Sequence, residues 1–308
     1  MRIKIGSNKG EKSMFSCKER MRLFLHVLIV VCMVSSFISF LGCNEQTSQT
    51  SEQSNETLYQ KVLKAGAIRC SYVAYPPYCI KDPNTGNMTG IFVEVMEEVG
   101  RKLELKIEWV EEVGWGTIFE GFESGRYDVH GSGLWQNSSR GKTGYFSVPL
   151  FYNAIRVWVR SDDKRFKTLS DLNSPEVRIA VQDGAMEDII AKTDFPKAQR
   201  ISVPQLNPWS DNLLNMITKK ADVTFAELSV ITPFLEKNPG TLKELELDQP
   251  IRVFANSYPF KMGEDEFKAM IDAAITELIS EGIVENILKR YETVPGEYLR
   301  VALPYRLR

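Results

Sequence analysis

Histidine is almost absent from this chain: two in 308 residues, His26 and His130. That excludes a histidine-rich metal centre and leaves little for histidine acid–base chemistry. Cysteine is sparse too, five in all, and no Cys-x-x-Cys pair occurs, so the usual thiolate zinc and redox spacings are missing. No nucleophile stands beside a base in a recognisable spacing. Beyond Cys43, no apolar run reaches the ~20 residues that span a bilayer. Excess positive charge is also lacking. The whole chain carries −2, and seven of its basic residues precede Cys43, leaving 31 basic against 38 acidic residues in the remainder. An acidic remainder argues against nucleic acid as a partner.

What is present begins at the N-terminal end. Arg20 and Arg22 precede a mostly apolar run, Leu23 to Leu41, interrupted by His26 and three serines. Gly42-Cys43 closes it. A basic start, an apolar middle and a small residue before cysteine form a bacterial lipoprotein signal. Phe40 and Leu41 depart from the usual residues of that signal, whereas Gly42 and Cys43 fit. Residues 1–42 are therefore expected to be the signal peptide and Cys43 the lipidated first residue. The alternative is a retained apolar anchor. Either way the bulk of the chain lies in the cell envelope, in the periplasm or on the outer face of the cytoplasmic membrane. Residues 44–56 contain no apolar side chain and, with Cys43, are expected to form a flexible tether. Cys70 and Cys79 flank Tyr75-Pro76-Pro77, where a disulfide and two buried thiols are both open.

From Thr57 onward the pattern alternates. Strands are expected at Ala67–Ala74, Leu105–Val110, Tyr127–Gly131, Ala154–Arg160, Val177–Val181 and Asp222–Ala226. Between them Phe92, Val95, Met96, Val99 and Leu103 recur at helical spacing, and Ile118 to Phe122 marks a short helix. Helices are also expected at Met186–Lys192 and around Leu213–Thr218. Phe267, Met270, Ile271, Ala274, Ile275 and Leu278 make one apolar helical face. A last helix spans Val284–Tyr291. This is the rhythm of α/β units with mostly parallel sheets.

An ordered set of motifs runs through these elements. Tyr75-Pro-Pro-Tyr78, Thr89-Gly-Ile-Phe-Val-Glu94 and Phe122-Glu-Ser-Gly-Arg-Tyr-Asp-Val129 come first. Gly131-Ser-Gly-Leu-Trp-Gln-Asn-Ser-Ser-Arg140 and Tyr145-Phe-Ser-Val-Pro149 follow. Ile179-Ala-Val-Gln-Asp-Gly184, Lys220-Ala-Asp-Val223 and Glu281-Gly-Ile-Val284 complete it. In this order, from about Leu58 to Tyr291, the chain resembles the family 3 extracellular solute-binding proteins, receptors of ABC importers for polar amino acids. The resemblance implies an α/β, two-lobed periplasmic-binding-protein-like (type II) clamp. Residues 57–154 plus 255–308 would form one lobe and 155–254 the other, with crossings near Ala154 and Ala255. Ligand would sit between them, and closure would be a hinge motion. The implied partners are a small amino-acid-like ligand, an ABC permease and, through lipid, the membrane; the protein is expected to be monomeric and to need no cofactor.

The resemblance also assigns residues. Arg140, which read alone is a surface arginine at a helix start, would grip a ligand carboxylate with its planar fork. Glu227, otherwise an exposed loop acid, would meet an ammonium group. Tyr75 and Trp115, otherwise core rings, would sandwich the ligand's aliphatic part. Gly133 would admit close backbone approach. Gly184, Ala185 and Met186 would aim amides of a helix N-terminus at the same carboxylate. Three positions depart from the family pattern: Trp135 and Ala185 replace hydroxyl residues, and Gln182 stands where a cationic residue is common. Trp209 is read either as a further cleft residue or as packing.

Two other readings stay open. The same clamp houses exported dehydratases acting on prephenate-like acids, in which Glu227 would be the general acid and Arg140 the substrate clamp. A sensory module serving a membrane receptor is the other.

Overall fold

The computed structural model describes residues 56–301. The signal segment, Cys43 and the tether up to Asn55 lie outside them. The described chain runs through α1 (Leu58–Ala65), β1 (Ala67–Tyr72), β2 (Ile80–Lys81), β3 (Met88–Thr89), α2 (Ile91–Leu103), β4 (Lys106–Glu112), α3 (Ile118–Glu123), β5 (Val129–His130), β6 (Leu134–Trp135) and β7 (Gly144–Phe146). It continues through β8 (Phe151–Arg160), β9 (Arg178–Gln182), α4 (Met186–Asp194), β10 (Gln199–Val203), α5 (Asp211–Ile217), β11 (Val223–Ala226) and α6 (Leu228–Lys237). The last elements are β12 (Leu242–Glu244), β13 (Arg252–Ser257), β14 (Pro259–Lys261), α7 (Asp265–Ser280), α8 (Ile283–Tyr291) and β15 (Leu299–Arg300).

Two sheets organise two lobes. The first has the order β4-β1-β5-β14-β7, the second β10-β9-β11-β8-β13-β6. In each, three strands are parallel: β1 with β4 and β5, and β9 with β10 and β11. The remaining pairs are antiparallel, because β8, β13 and β14 are segments where the chain doubles back. The sheets are thus less uniformly parallel than the strand–helix alternation suggested. Strand β8 is shared along its length. Its first half pairs with β13, with Ala154 opposite Val253 and Tyr152 opposite Ala255, and its second half pairs with β11.

The cores explain the elements. On the first lobe, Val95, Met96 and Val99 of α2 meet Ile271, Ile275 and Leu278 of α7 over Ile68 and Val129. This is the apolar stripe expected from the 3.6-residue period. In the second lobe, alternate residues feed opposite faces of the sheet. Val157, Ile179 and Val181 enter one core, Trp158 and Ala180 the other. Covering both faces with helices is what a parallel core requires. Strand β5 is shorter than expected, although pairing with β1 continues on either side of it: the Asp128 N–H donates to the Arg69 carbonyl and the Gly131 N–H to the Ser71 carbonyl, each at 2.8 Å. Cys70 and Cys79 are both free and buried, and they enter different apolar clusters. Burial pushes the Cys79 thiol up to about 12.

Candidate functional site

The elements of both lobes converge on one cavity of about 40 Å³. Tyr75 reaches it from the turn after β1, which closes through a Tyr75 N–H bond to the Cys79 carbonyl at 2.8 Å. Trp115 comes from the loop after β4, Gly133 from the bend between β5 and β6, and Trp135 from the end of β6. Arg140 opens a 3-10 turn whose first amide donates to Asn137 Oδ1 at 2.9 Å. Ala185 and Met186 enter from the start of α4. All seven line the cavity. Tyr78, Glu187, Trp209 and Asn256 line it too. Of these four, the sequence singled out only Trp209.

Arg140 is 8% exposed. Its guanidinium donates to the Trp135 carbonyl at 3.1 Å and, weakly, to the Gly184 carbonyl at 3.5 Å. Its partners are neutral carbonyls rather than a carboxylate. Burial drives its pKa down to about 10, against the pull of Glu187. A buried cation with no carboxylate in hydrogen-bond contact favours an incoming anion.

Glu187 sits in the first turn of α4. Its Oε1 accepts from the Gln182 backbone N–H at 3.1 Å and from the Trp209 indole at 2.8 Å. Burial pushes its carboxyl up to about 7. The available signal was an acid one residue past Met186, on the face that turns into the cleft. The expected amide cradle is partly engaged already: the Ala185 N–H bonds to the Gln182 carbonyl at 3.0 Å.

Three assigned residues stand outside the lining. Glu227, 1% exposed, accepts from the Tyr75 hydroxyl at 3.0 Å, and its other oxygen is buried without a partner. Burial raises its carboxyl to about 7 as well. Gln182 acts one layer out: its Oε1 accepts from the Trp115 indole at 3.0 Å, and its Nε2 donates to the Asn207 carbonyl at 2.7 Å. Gly184 abuts the Trp115 loop. The expected sandwich is absent, since the Tyr75 and Trp115 rings touch edge to face, centroids 5.5 Å apart at 89°. No slot separates them. Trp135 stacks on Phe254 at 5.3 Å, which fixes its bulk where a hydroxyl was expected.

A buried hydrogen-bond chain connects cavity and shared strands. The Asn256 amide donates to Asn153 Oδ1 at 2.7 Å, and the Asn153 amide donates to the Tyr78 hydroxyl at 2.9 Å. That hydroxyl lies 2.6 Å from the Ser229 hydroxyl of α6. His130, between Ser71 and Ser132, is held neutral by burial, its pKa lowered to about 3.

Residues 68–294 match the family model described as bacterial extracellular solute-binding proteins, family 3. The chain belongs to this family. Membership puts the protein outside the cytoplasm, and among the described residues no helix is long and apolar enough to cross a membrane. The probable amino-acid-binding protein YxeM of Bacillus subtilis is 22% identical over 264 residues, 85% of this chain and 93% of that protein. Cyclohexadienyl dehydratase of Pseudomonas aeruginosa is 24% identical over 169 residues, 54% of this chain and 62% of that protein. Among solved structures, an ancestral amino acid-binding protein described as a precursor of cyclohexadienyl dehydratase has a TM-score of 0.67 at 21% identity, over 76% of this chain and 99% of that one. The two-lobed type II fold is therefore the one the motifs implied.

In this family 3 protein Gly184 abuts the Trp115–Gly116 loop across the cleft. Its φ is +74°, and a Cβ there would stand 2.7 Å from the Gly116 backbone nitrogen. The same loop is held from the other side, where the Gly116 N–H donates to Gln205 Oε1 at 2.9 Å. Gly184→Ala should therefore obstruct closure, with a local left-handed penalty of ~1–2 kcal/mol. The expected result is at least a ~10-fold loss of ligand affinity, with both lobes still folded by circular dichroism. Wild-type affinity in this variant would mean that the contact is not part of the ligand-binding state.

Proposed function

We propose that this protein captures a small zwitterion, an α-amino acid or close derivative, between its lobes and delivers it to an ABC permease. The observation that carries this reading is that Arg140 and Glu187, both buried, line one cavity, a cation and an acid that match the two ends of a zwitterion. In this arrangement Arg140 takes the carboxylate by charge-assisted hydrogen bonds. The ammonium goes to Glu187 rather than Glu227, because Glu187 lines the cavity and Glu227 does not. Trp115 and Trp209, each held through its indole N–H, exclude water and strengthen both contacts.

The lobes are taken as 57–154 plus 255–308 and 155–254. Crossings near Ala154 and Ala255 would form the hinge, supported by the pairing of β8 with β13. Closure is then a hinge motion that ligand contacts to both lobes favour. Lipidation at Cys43 and a flexible tether over 44–56 would hold the receptor near its permease at high effective concentration.

Isothermal titration calorimetry against a panel of amino acids and small organic acids tests the reading. Binding of at least one amino acid at nanomolar to micromolar affinity is expected, and silence across the panel would sink it. A second reading, a prephenate dehydratase-like enzyme with Glu227 as general acid, is favoured by the burial that raises the Glu227 carboxyl, like that of Glu187, to about 7, where it can donate a proton. An ultraviolet absorbance change on mixing with prephenate would establish it.

A further inference from the structure

The cavity of about 40 Å³ does not stand alone. A groove of about 670 Å³ lies on its other side, and Tyr75 and Trp209 line both. These two rings, 6.1 Å apart and inclined at 76°, form the partition between them. Three contacts hold Tyr75: it is stacked on Tyr78 at 5.5 Å, edge-on to Trp115, and hydrogen-bonded through its hydroxyl to Glu227. Glu227 belongs to the second lobe and Tyr75 to the first, so the partition is bolted across the closed cleft.

We propose that the Tyr75–Glu227 bond is the specificity device of the site, confining it to amino acids with small, uncharged side chains. This rests on the zwitterion reading above. Two features support it. The cavity, at about 40 Å³, is far tighter than the groove of about 670 Å³ beyond the two rings. The Tyr75 ring stands between the cavity and the groove, the roomier space that a longer side chain would need. In addition, Glu227 lies directly behind that ring, engaged by Tyr75 and with its second oxygen buried without a partner. Removing the ring would join cavity to groove and free that carboxyl group at once.

Calorimetry with glycine, alanine, serine, lysine, arginine and phenylalanine tests this on the wild type, Tyr75→Ala, Tyr75→Phe and the double variant Tyr75→Ala/Glu227→Gln. The wild type should bind at least one of the three small amino acids at least ~10-fold more tightly than lysine, arginine or phenylalanine. Tyr75→Ala should reverse that ratio for lysine or arginine, and the added Glu227→Gln should cancel the gain. Tyr75→Phe, which keeps the ring and removes only its bond, covers the case in which the alanine variant does not fold. Its lysine-to-alanine affinity ratio should rise. Wild-type binding of arginine or phenylalanine as tight as that of the small amino acids overturns the partition while leaving the zwitterion reading intact. Unchanged ratios in both Tyr75 variants do the same. No binding of any of the six overturns the partition, and silence across the wider panel of amino acids and small organic acids overturns the zwitterion reading with it.

Discussion

Arg140→Ala will abolish ligand binding and leave the fold standing. Removing one partner of a buried, hydrogen-bonded charge pair costs about 2–5 kcal/mol, or roughly 30- to 4,000-fold in affinity. Stability should move little, because two opposing effects accompany the change. The variant loses hydrogen bonds from the guanidinium to the Trp135 and Gly184 carbonyls, but it also loses a buried cation whose pKa burial has lowered to about 10. Arg140→Lys should fall between, since an ammonium keeps the charge and loses the fork. Calorimetry gives the affinity and a circular dichroism melt the stability. An alanine variant within threefold of the wild type would move the carboxylate site elsewhere.

The second large effect is a stability that falls as pH rises through the weakly acidic range. Glu187 and Glu227 both have their carboxyls raised from 4.5 to about 7, by burial above all. Below pH 4.5 both states keep these protons. From 4.5 upward the unfolded chain releases them while the folded one retains them until about 7, so stability declines across that window. Each acid contributes at most about 3 kcal/mol, and less where the two interact. His130 acts with the opposite sign. Its folded pKa is lowered from 6.5 to about 3, so its contribution grows with pH up to 6.5 and then stops. Two acids outweigh one histidine, and between 6.5 and 7 only the acids act. Denaturant melts should show lower stability at pH 7.5 than at 5.5, and Glu187→Gln/Glu227→Gln should flatten or invert the trend. A zwitterion should bind more tightly as pH rises over the same window, because its ammonium prefers the ionised acid. Parallel pH profiles for wild type and double variant would mean that neither acid is held protonated.

Much of the fold was legible from periodicity. Helix α7 spans Asp265–Ser280 around the apolar face read from Phe267 to Leu278, and α2 begins at the expected apolar cluster. Strand β8 was read from Ala154 but begins at Phe151, since its first residues are ordered by pairing with β13 and β15, far away in the chain. The candidate site was legible in part. Tyr75, Trp115, Arg140 and the start of α4 do converge on one cavity. Glu187 does not stand out in the sequence, because an acid in the first turn of a helix is ordinarily explained by the helix dipole.

The sequence by itself determined the family, the α/β two-lobed class and the neighbourhood of the cleft. These follow from ordered motifs and from 2- and 3.6-residue periods, which are properties of neighbours along the chain. Only the tertiary structure decided which carboxylate faces the cavity. Glu187 and Glu227 are equally acidic in sequence, and they differ because Trp209 orients one and Tyr75 engages the other across the cleft. The same is true of the rings. Whether Tyr75 and Trp115 enclose a slot or touch edge to face depends on Gln182 and Glu227, which reach them from the other lobe. Side-chain direction at such a cleft is set by partners that are remote in sequence, and those partners meet only once β8 and β13 have brought the two lobes together.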